Sequence, residues 1–391
     1  MNKQEKFRYL KVFGLLGLCV SGLIYAVALL NTEDQPTIMI GKYALKSNDL
    51  ILGDTRAYRS WYENGAWQGD VIEYEILSSG GTRQTDVAVG ANPATAGDAG
   101  LCGRTPGCWS ARASFIAAGA DDPTDDTYWK GRNIFTTSGG SQIDFLWNNL
   151  SAAQKLALDA TTIGNPDGDP TTDDAVDPDQ DQSSQYFSPI LNYIRGDRSK
   201  ERNLDEGFLR RRYSVLGDIT RSPVYIGPPA ELLGNLEGYS EFRTSLASVA
   251  GVVATPANDG MMHFFDADSG AENYAYIPSM VMGKLDKLAA RNTAYTHTYY
   301  QDGEMTVLSA QDAPTTCNDT DITGCQWKRI LASGGGAGFK GLFALDVSSP
   351  GYTSDKVVFE KTGTDIGYIY GAPRIAPLGT QASPAWHVIT G

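Results

Sequence analysis

Histidine is scarce in this chain. His263, His297 and His387 are the only three in 391 residues. No HExxH arrangement joins them and nothing in their spacing brings them together, so the common zinc-hydrolase pattern is excluded. His263 sits in an alternating strand and reads as a packed or turn-bonded side chain. No G-x-S-x-G elbow occurs, which removes the usual seat of a nucleophilic serine. Positive charge is also short: Lys and Arg number 32 against 46 Asp and Glu, a formal net charge of −14. A surface of that sign repels phosphate and speaks against nucleic acid as a partner. It suits divalent cations and a secreted protein kept soluble by its charge. There are five cysteines and no CxxC pair.

A long apolar run occurs at the N-terminus. Lys3, Lys6, Arg8 and Lys11 precede Val12 to Leu30, and Ala26-Val27-Ala28 offers a small-x-small cleavage site. Residues 1–28 therefore read as a signal peptide or an N-terminal anchor, since about 20 apolar residues can span a bilayer. Cys19 follows Leu18, a poor context for lipidation. Either reading exports the remainder to the periplasm, the outer membrane or the cell surface. Export changes what cysteine means. The other four form two close pairs, Cys102/Cys108 and Cys317/Cys325, each in a turn-rich loop. Small disulfide rings are expected there. Zinc would use the same four residues, but the wide gap between pairs and the missing CxxC spacing fit it poorly.

Glycine (43) and tyrosine (20) are plentiful, as a chain of short strands and many turns requires. Residues 29–210 read as a β-rich lead-in. "GAWQGDVIEYEIL" and "GRNIFTTSGGSQIDFLW" are strand-like, and "SAAQKLALDA" is helical. Residues 164–185 hold no aliphatic side chain except Ala175 and Val176, so no packed element forms from them. A short helix follows at about 186–196, ending at Gly196. Residues 211–391 are mostly β with helical insertions, at "EFRTSLASVA" and "VMGKLDKLAARNT".

Within that second part the pattern recurs. "GMMHFFDADSG" and "GLFALDVSSPG" share glycine, an apolar strand, an aspartate and a serine turn. Their aspartates, Asp266 and Asp346, are expected to cap turns by accepting backbone N–H bonds. "GDITRSPVYIG" and "YGAPRIAPLG" are both strands preceded by proline. A recurring strand–turn–strand unit indicates a β-propeller or similar array. The fold class expected is mostly β: a partial β-propeller of quinoprotein-like blades, preceded by a small β-rich region.

Three stretches invite a chemical reading. Asn165, Asp167, Asp169 and Asp173 alternate in the acidic loop as a calcium loop's oxygens do. Pro170 stands where an EF-hand wants glycine and no glutamate closes the loop, so a solvated acidic insertion is the competing reading. Arg195-Gly196-Asp197 is an adhesion tripeptide if exposed, and otherwise a glycine helix terminus. "SGGGAGFKG" leads into a strand rather than a helix, so it reads as a bulged turn and not a phosphate cradle.

The ordered series "YIRGDRSKERN", "FLRRRYSVLGDITRSPVYIG", "ANDGMMHFFDADSGAENYAYIP", "THTYYQDGE", "WKRILASGGGAGFKGLFALDV" and "GYIYGAPRIAPLG" resembles the C-terminal propeller of the PilY family. The resemblance extends upstream through "WYENGAWQGDVIEYEI", "WKGRNIFT" and "FLWNNLSAAQKLAL", covering about residues 60–391. It implies work in type IV pilus assembly and in adhesion at the pilus tip, with pilins, minor pilins and a host or abiotic surface as partners. It also implies calcium (Ca2+) dependence, although the family's own calcium loop lies in a later blade. The chain departs from the family in having a short N-terminal region. It also stops at "AWHVITG", where relatives continue, which suggests a fragment, a truncated product or a protein completed by a partner. Two other readings remain: a pyrroloquinoline-quinone-dependent dehydrogenase-like propeller, whose adjacent cysteines and tryptophan-docking repeats are missing here, and an outer-membrane assembly scaffold.

Overall fold

Short runs of β-branched and aromatic residues, cut by glycine turns, become sixteen strands among the described residues of a computed structural model. The structure describes residues 38–45, 56–63, 65–76, 82–83, 108–158, 184–202, 207–290, 295–311, 326–380 and 383–391. The chain divides into two compact units, Met1–Met39 and Ile40–Gly391, and the blades and their joints all belong to the second. The N-terminal segment 1–28, Asn165, Asp167, Asp169 and Asp173 of the acidic loop, and Cys102, Cys317 and Cys325 lie outside the described residues. Cys108 is disulfide-bonded.

The lead-in opens with a sheet of β1 (Ile38–Leu45), β2 (Arg56–Glu63), β3 (Gln68–Ile76) and β4 (Thr82–Arg83), in that order. Helix α1 (Ala111–Ala117) follows, capped by the Ser110 side chain, which accepts from the Ala113 amide. After α2 (Thr127–Gly131), strands β5 (Ile134–Ser138) and β6 (Ser141–Asp144) form a hairpin. Its two-residue turn, Gly139-Gly140, takes φ of +59° and +84°, the conformation that matches strand twist and that glycine adopts without strain. Helix α3 (Ala152–Ala157) begins with a reciprocal Ser151–Gln154 capping box. Helix α4 (Pro189–Arg195) has Ser188 as its cap and Pro189 in its first turn.

Two propeller blades follow. The first is β7 (Val224–Ile226), β8 (Val252–Pro256), β9 (Met262–Asp266) and β10 (Glu272–Tyr276), an antiparallel meander. Helix α5 (Tyr239–Ser245) is inserted between its first two strands, and α6 (Asp286–Ala289) follows its last. The second blade is β11 (Met305–Gln311), β12 (Trp327–Gly334), β13 (Leu342–Asp346) and β14 (Val357–Lys361). A hairpin of β15 (Arg374–Thr380) and β16 (Ser383–Ile389) comes next, packing Ile375, Trp386 and Val388 on Ala310, Ile330 and Ala344.

The sequence repeat maps onto this repeat of blades. Asp266 and Asp346 each end the third strand of their blade. Asp266 accepts from the Asp268 and Ser269 amides and the Ser269 hydroxyl; Asp346 accepts from the amide and hydroxyl of Ser348. The proline-led segments supply the first strands, β7 and β15. Ile219 and Ile369, each four residues before its proline, are both buried.

The lead-in is not separate from the first blade. Strand β5 pairs in parallel with β10, Ala275 opposite Ile134 and Tyr276 opposite Phe135, which makes a six-stranded sheet β6-β5-β10-β9-β8-β7. The largest apolar cluster draws Phe135 and Leu191 from the lead-in, Phe264 and Tyr274 from the first blade, and Phe343 and Leu345 from the second. This cluster has members on both sides of residue 210, where the second region of the sequence begins.

The glycine-rich stretch is a site of close approach. Gly336 takes φ +57°, and a Cβ on Gly338 would stand 1.7 Å from the Tyr300 carbonyl oxygen. Gly338→Ala is expected to destabilise by more than about 3 kcal/mol in urea unfolding, whereas Gly351→Ala, with nothing within 4 Å, stays within about 0.5 kcal/mol. Equal effects would contradict the close-approach reading.

Candidate functional site

Charged side chains tie these elements together at three joints among others. The first links the lead-in to the first blade. The turn Ala257–Gly260 presents Asp259, β9 carries His263, β10 carries Glu272, and the β5–β10 register brings Arg132 alongside. Arg132 forks onto Glu272, Nε to Oε2 at 2.7 Å and the second guanidinium nitrogen to Oε1 at 2.8 Å, and also donates to the Arg195 carbonyl at 2.6 Å. His263 Nδ1 meets Glu272 Oε1 at 2.7 Å, while Nε2 meets Asp259 at 3.0 and 3.1 Å. With a carboxylate at each nitrogen, both ring N–H groups donate and the ring is an imidazolium. The four side chains are between 1% and 13% exposed.

The proton affinities follow from burial set against neighbours. Burial opposes the charge on His263, but Asp259 and Glu272 override it and raise the pKa to about 9. Burial also opposes the Glu272 charge, yet Arg132 and His263 bring it down to about 2. Asp259 is held low by the same contest, won by His263. Asp70 behaves oppositely. It is fully buried in β3, and desolvation outweighs its bonds from the Ser110 hydroxyl and the Arg112 and Val71 amides, raising it to about 6.

The second joint ties the first blade to the segment ahead of β11. Asp218 accepts from Asn258 at 2.8 Å and from His297 at 3.0 Å, and His297 stacks on Trp67 with centroids 3.8 Å apart. Arg221 donates to the Asp302 carbonyl at 2.9 Å and pairs with its carboxylate at 3.2 Å. The third joint lies where β14 meets the lead-in. Glu360 accepts from the Thr137 hydroxyl, the Tyr276 hydroxyl, and the amide and hydroxyl of Ser279. Gln142 of β6 donates to the Thr353 carbonyl and accepts from the Val357 amide. These groups are held in fixed hydrogen bonds and ion pairs, an arrangement that fastens elements.

The residues singled out from sequence are dispersed. Arg195 is 2% exposed and donates to the carbonyls of Phe145, Trp129, Lys130 and Arg132. Gly196 takes φ +122° as the cap of α4, and Asp197 accepts from the Ser199 amide. The Arg195-Gly196-Asp197 adhesion reading is therefore corrected: the arginine is a buried strut, and a receptor cannot reach it. Of the three arginines at 210–212, Arg212 pairs with Glu201 at 2.9 Å. His263 and His297 occupy different joints, and His387 is exposed on β16. Among the described residues no group of three or more His, Cys, Asp or Glu is gathered for a metal ion, and no helix is long and apolar enough to cross a membrane. Sequence reasoning missed Arg132, Glu272 and Glu360. The available signal was a charge on an inward position of an otherwise apolar strand, as in "ENYAY" and "VVFEK".

Comparison with known proteins gives this geometry a family. Residues 216–377, which contain both blades and the start of β15, match the family model described as the PilY1 beta-propeller domain. A type IV pilus biogenesis factor PilY1 homolog of Xylella fastidiosa is 39% identical over 209 residues, 51% of this chain and 16% of its own length. The type IV pilus biogenesis factor PilY1 of Pseudomonas aeruginosa strain PAK is 35% identical over 278 residues, 67% of this chain and 21% of its own. The chain belongs to the PilY family. It spans about a fifth of the length of the curated relatives it matches. The crystal structure of the P. aeruginosa PilY1 C-terminal domain is 31% identical and covers 43% of this chain and 31% of its own, with a TM-score of 0.32, too loose a superposition for the geometries to be compared.

The first joint gives this PilY-family chain a defined pH response. Glu272, lowered to about 2, contributes stability above 4.5 that is lost as pH falls toward 2. His263, raised from 6.5 to about 9, contributes fully below 6.5 and loses that contribution as pH rises through 9. Asp70, raised from 3.8 to about 6, contributes below 3.8 and loses it by about 6. In urea unfolding, His263→Gln should cost about 2–3 kcal/mol more at pH 7 than at pH 10. An equal cost at both pH values would show that His263 is not charged in the fold.

Proposed function

We propose that this chain acts in type IV pilus biogenesis as an exported binding module, promoting pilus assembly and surface attachment through contacts with pilins and minor pilins. The observation that carries the reading is the pair of consecutive four-stranded blades within residues 216–377, the segment that matches the PilY1 beta-propeller domain. The names of the relatives, type IV pilus biogenesis factors, support it. Binding rather than catalysis is the work proposed, because the carboxylates and histidines of the three joints are engaged in fixed contacts within the protein. The cell envelope or cell surface is the proposed location, in keeping with the N-terminal apolar run.

Calcium modulation forms part of the proposal. Asn165, Asp167, Asp169 and Asp173 would supply alternating oxygen ligands to a hard cation. The test is deletion of the gene followed by complementation, with surface pili and twitching counted with and without calcium. Deletion should abolish piliation and the wild-type gene restore it. A variant with Asp167, Asp169 and Asp173 changed to Ala should restore pili but lose the calcium response. Unchanged pili in the deletion strain would sink the pilus role; an unchanged calcium response in the variant would sink only the calcium part.

A further inference from the structure

Beside the third joint lies a cavity of about 310 Å³, at the small end of the sizes that ligands occupy. Its walls are the β5–β6 turn, the start of α3, the segment after β10, and β14. Among the described residues, Glu360 is the single charged side chain that lines it. Five hydroxyls line it, and four of them, all but Ser138, point their hydrogens into the protein. Thr137 donates to Glu360 at 2.5 Å, and Ser279 donates to the same carboxylate. Ser151 donates to Gln154 Oε1 at 2.9 Å, and Thr362 donates to the Lys340 carbonyl at 3.1 Å. The Gln154 amide nitrogen is engaged as well, with the Thr137 carbonyl at 2.9 Å.

A hydroxyl has one hydrogen and two lone pairs. With four of the five hydroxyl hydrogens committed to the protein, the cavity meets mainly lone pairs. Its side-chain wall is therefore rich in acceptors and carries one negative charge, with Met280 as an apolar flank. An anion is repelled there, and a sugar finds few side-chain donors. A guanidinium wants two free carboxylate oxygens in one plane, but each Glu360 oxygen already accepts two bonds. Calcium wants six to eight oxygens, typically from several carboxylates, and only one is present. A compact ammonium on a flexible apolar stem matches the wall, because its three donors can fall on the hydroxyl lone pairs while its charge faces Glu360 without needing a free carboxylate oxygen. The formal net charge of −14 also draws cations toward the surface.

We propose that this cavity binds a primary alkylammonium group, carried by a small free amine or by a lysine side chain of a partner. The ligand would bridge the lead-in, the first blade and the second.

The test uses the full chain labelled at its methionine methyl groups, of which there are seven. Met280 lines the cavity, and the other methionines serve as internal controls. Pentylamine should shift the Met280 signal saturably, and pentanol at the same concentration should not. The shift should disappear in Thr362→Arg, which places a cation of the chain's own at the rim, and weaken about tenfold or more in Glu360→Gln. Where Glu360→Gln does not fold, Thr362→Arg decides alone. A single-lysine peptide that binds more tightly than pentylamine makes the ligand a partner's side chain; the reverse makes it a free amine. No Met280 shift, an equal shift with pentanol, or a shift with calcium chloride but not with the amine would overturn the proposal.

Discussion

The structure depends on one buried contact, the fork of Arg132 onto Glu272 with His263 and Asp259 completing the set. Arg132 comes from the lead-in and the other three from the first blade, so the contact joins parts of the chain 140 residues apart. Desolvating four ionisable groups is expensive, and such a set often contributes little net stability compared with an apolar replacement. Its effect is on register. A one-residue slip of β5 against β10 would leave Arg132 or Glu272 buried without its partner, a loss of several kcal/mol. The parallel pairing of β5 with β10 covers few residues, so the charges supply the specificity that a longer ladder would otherwise give.

This contact determines how the blades are held. The first blade is bound on its outer strand by the lead-in hairpin and near its first strand by Arg221, which reaches Asp302 ahead of the second blade. The lead-in also touches the second blade directly, through Gln142 and through Thr137 on Glu360. The lead-in and the two blades therefore share both apolar packing and directed polar contacts. Apolar packing alone tolerates sliding, whereas directed bonds do not.

Much of this was legible in the sequence. The repeat of Asp266 and Asp346, the proline-led first strands and the capped helix at 151 follow from local rules of turns, caps and periodicity, which act over a few residues. The PilY resemblance was legible for the same reason, as an ordered series of local signatures. What was not legible depends on long-range pairing. Arg132, Glu272 and Glu360 look like ordinary surface charges until the β5–β10 register and the approach of β14 put them inside. Arg195-Gly196-Asp197 left two readings open because a tripeptide carries no record of burial; the four carbonyl partners of Arg195 come from residues 129–145. The lead-in was read as its own region because the recurring strand pattern begins only after residue 210, and a local pattern does not report a shared core.

The binding role proposed for this chain needs blades that keep their shape, and the lead-in shares both a sheet and an apolar core with them. The central claim is that the lead-in and the first blade unfold as one unit. Native-state hydrogen exchange tests it directly, by comparing the opening free energy of amides in β5 with those in β8 and β9. The predicted result is a common value that falls together in Arg132→Ala. Exchange of β5 at a distinctly lower free energy, with β8 and β9 unaffected by that substitution, would contradict it.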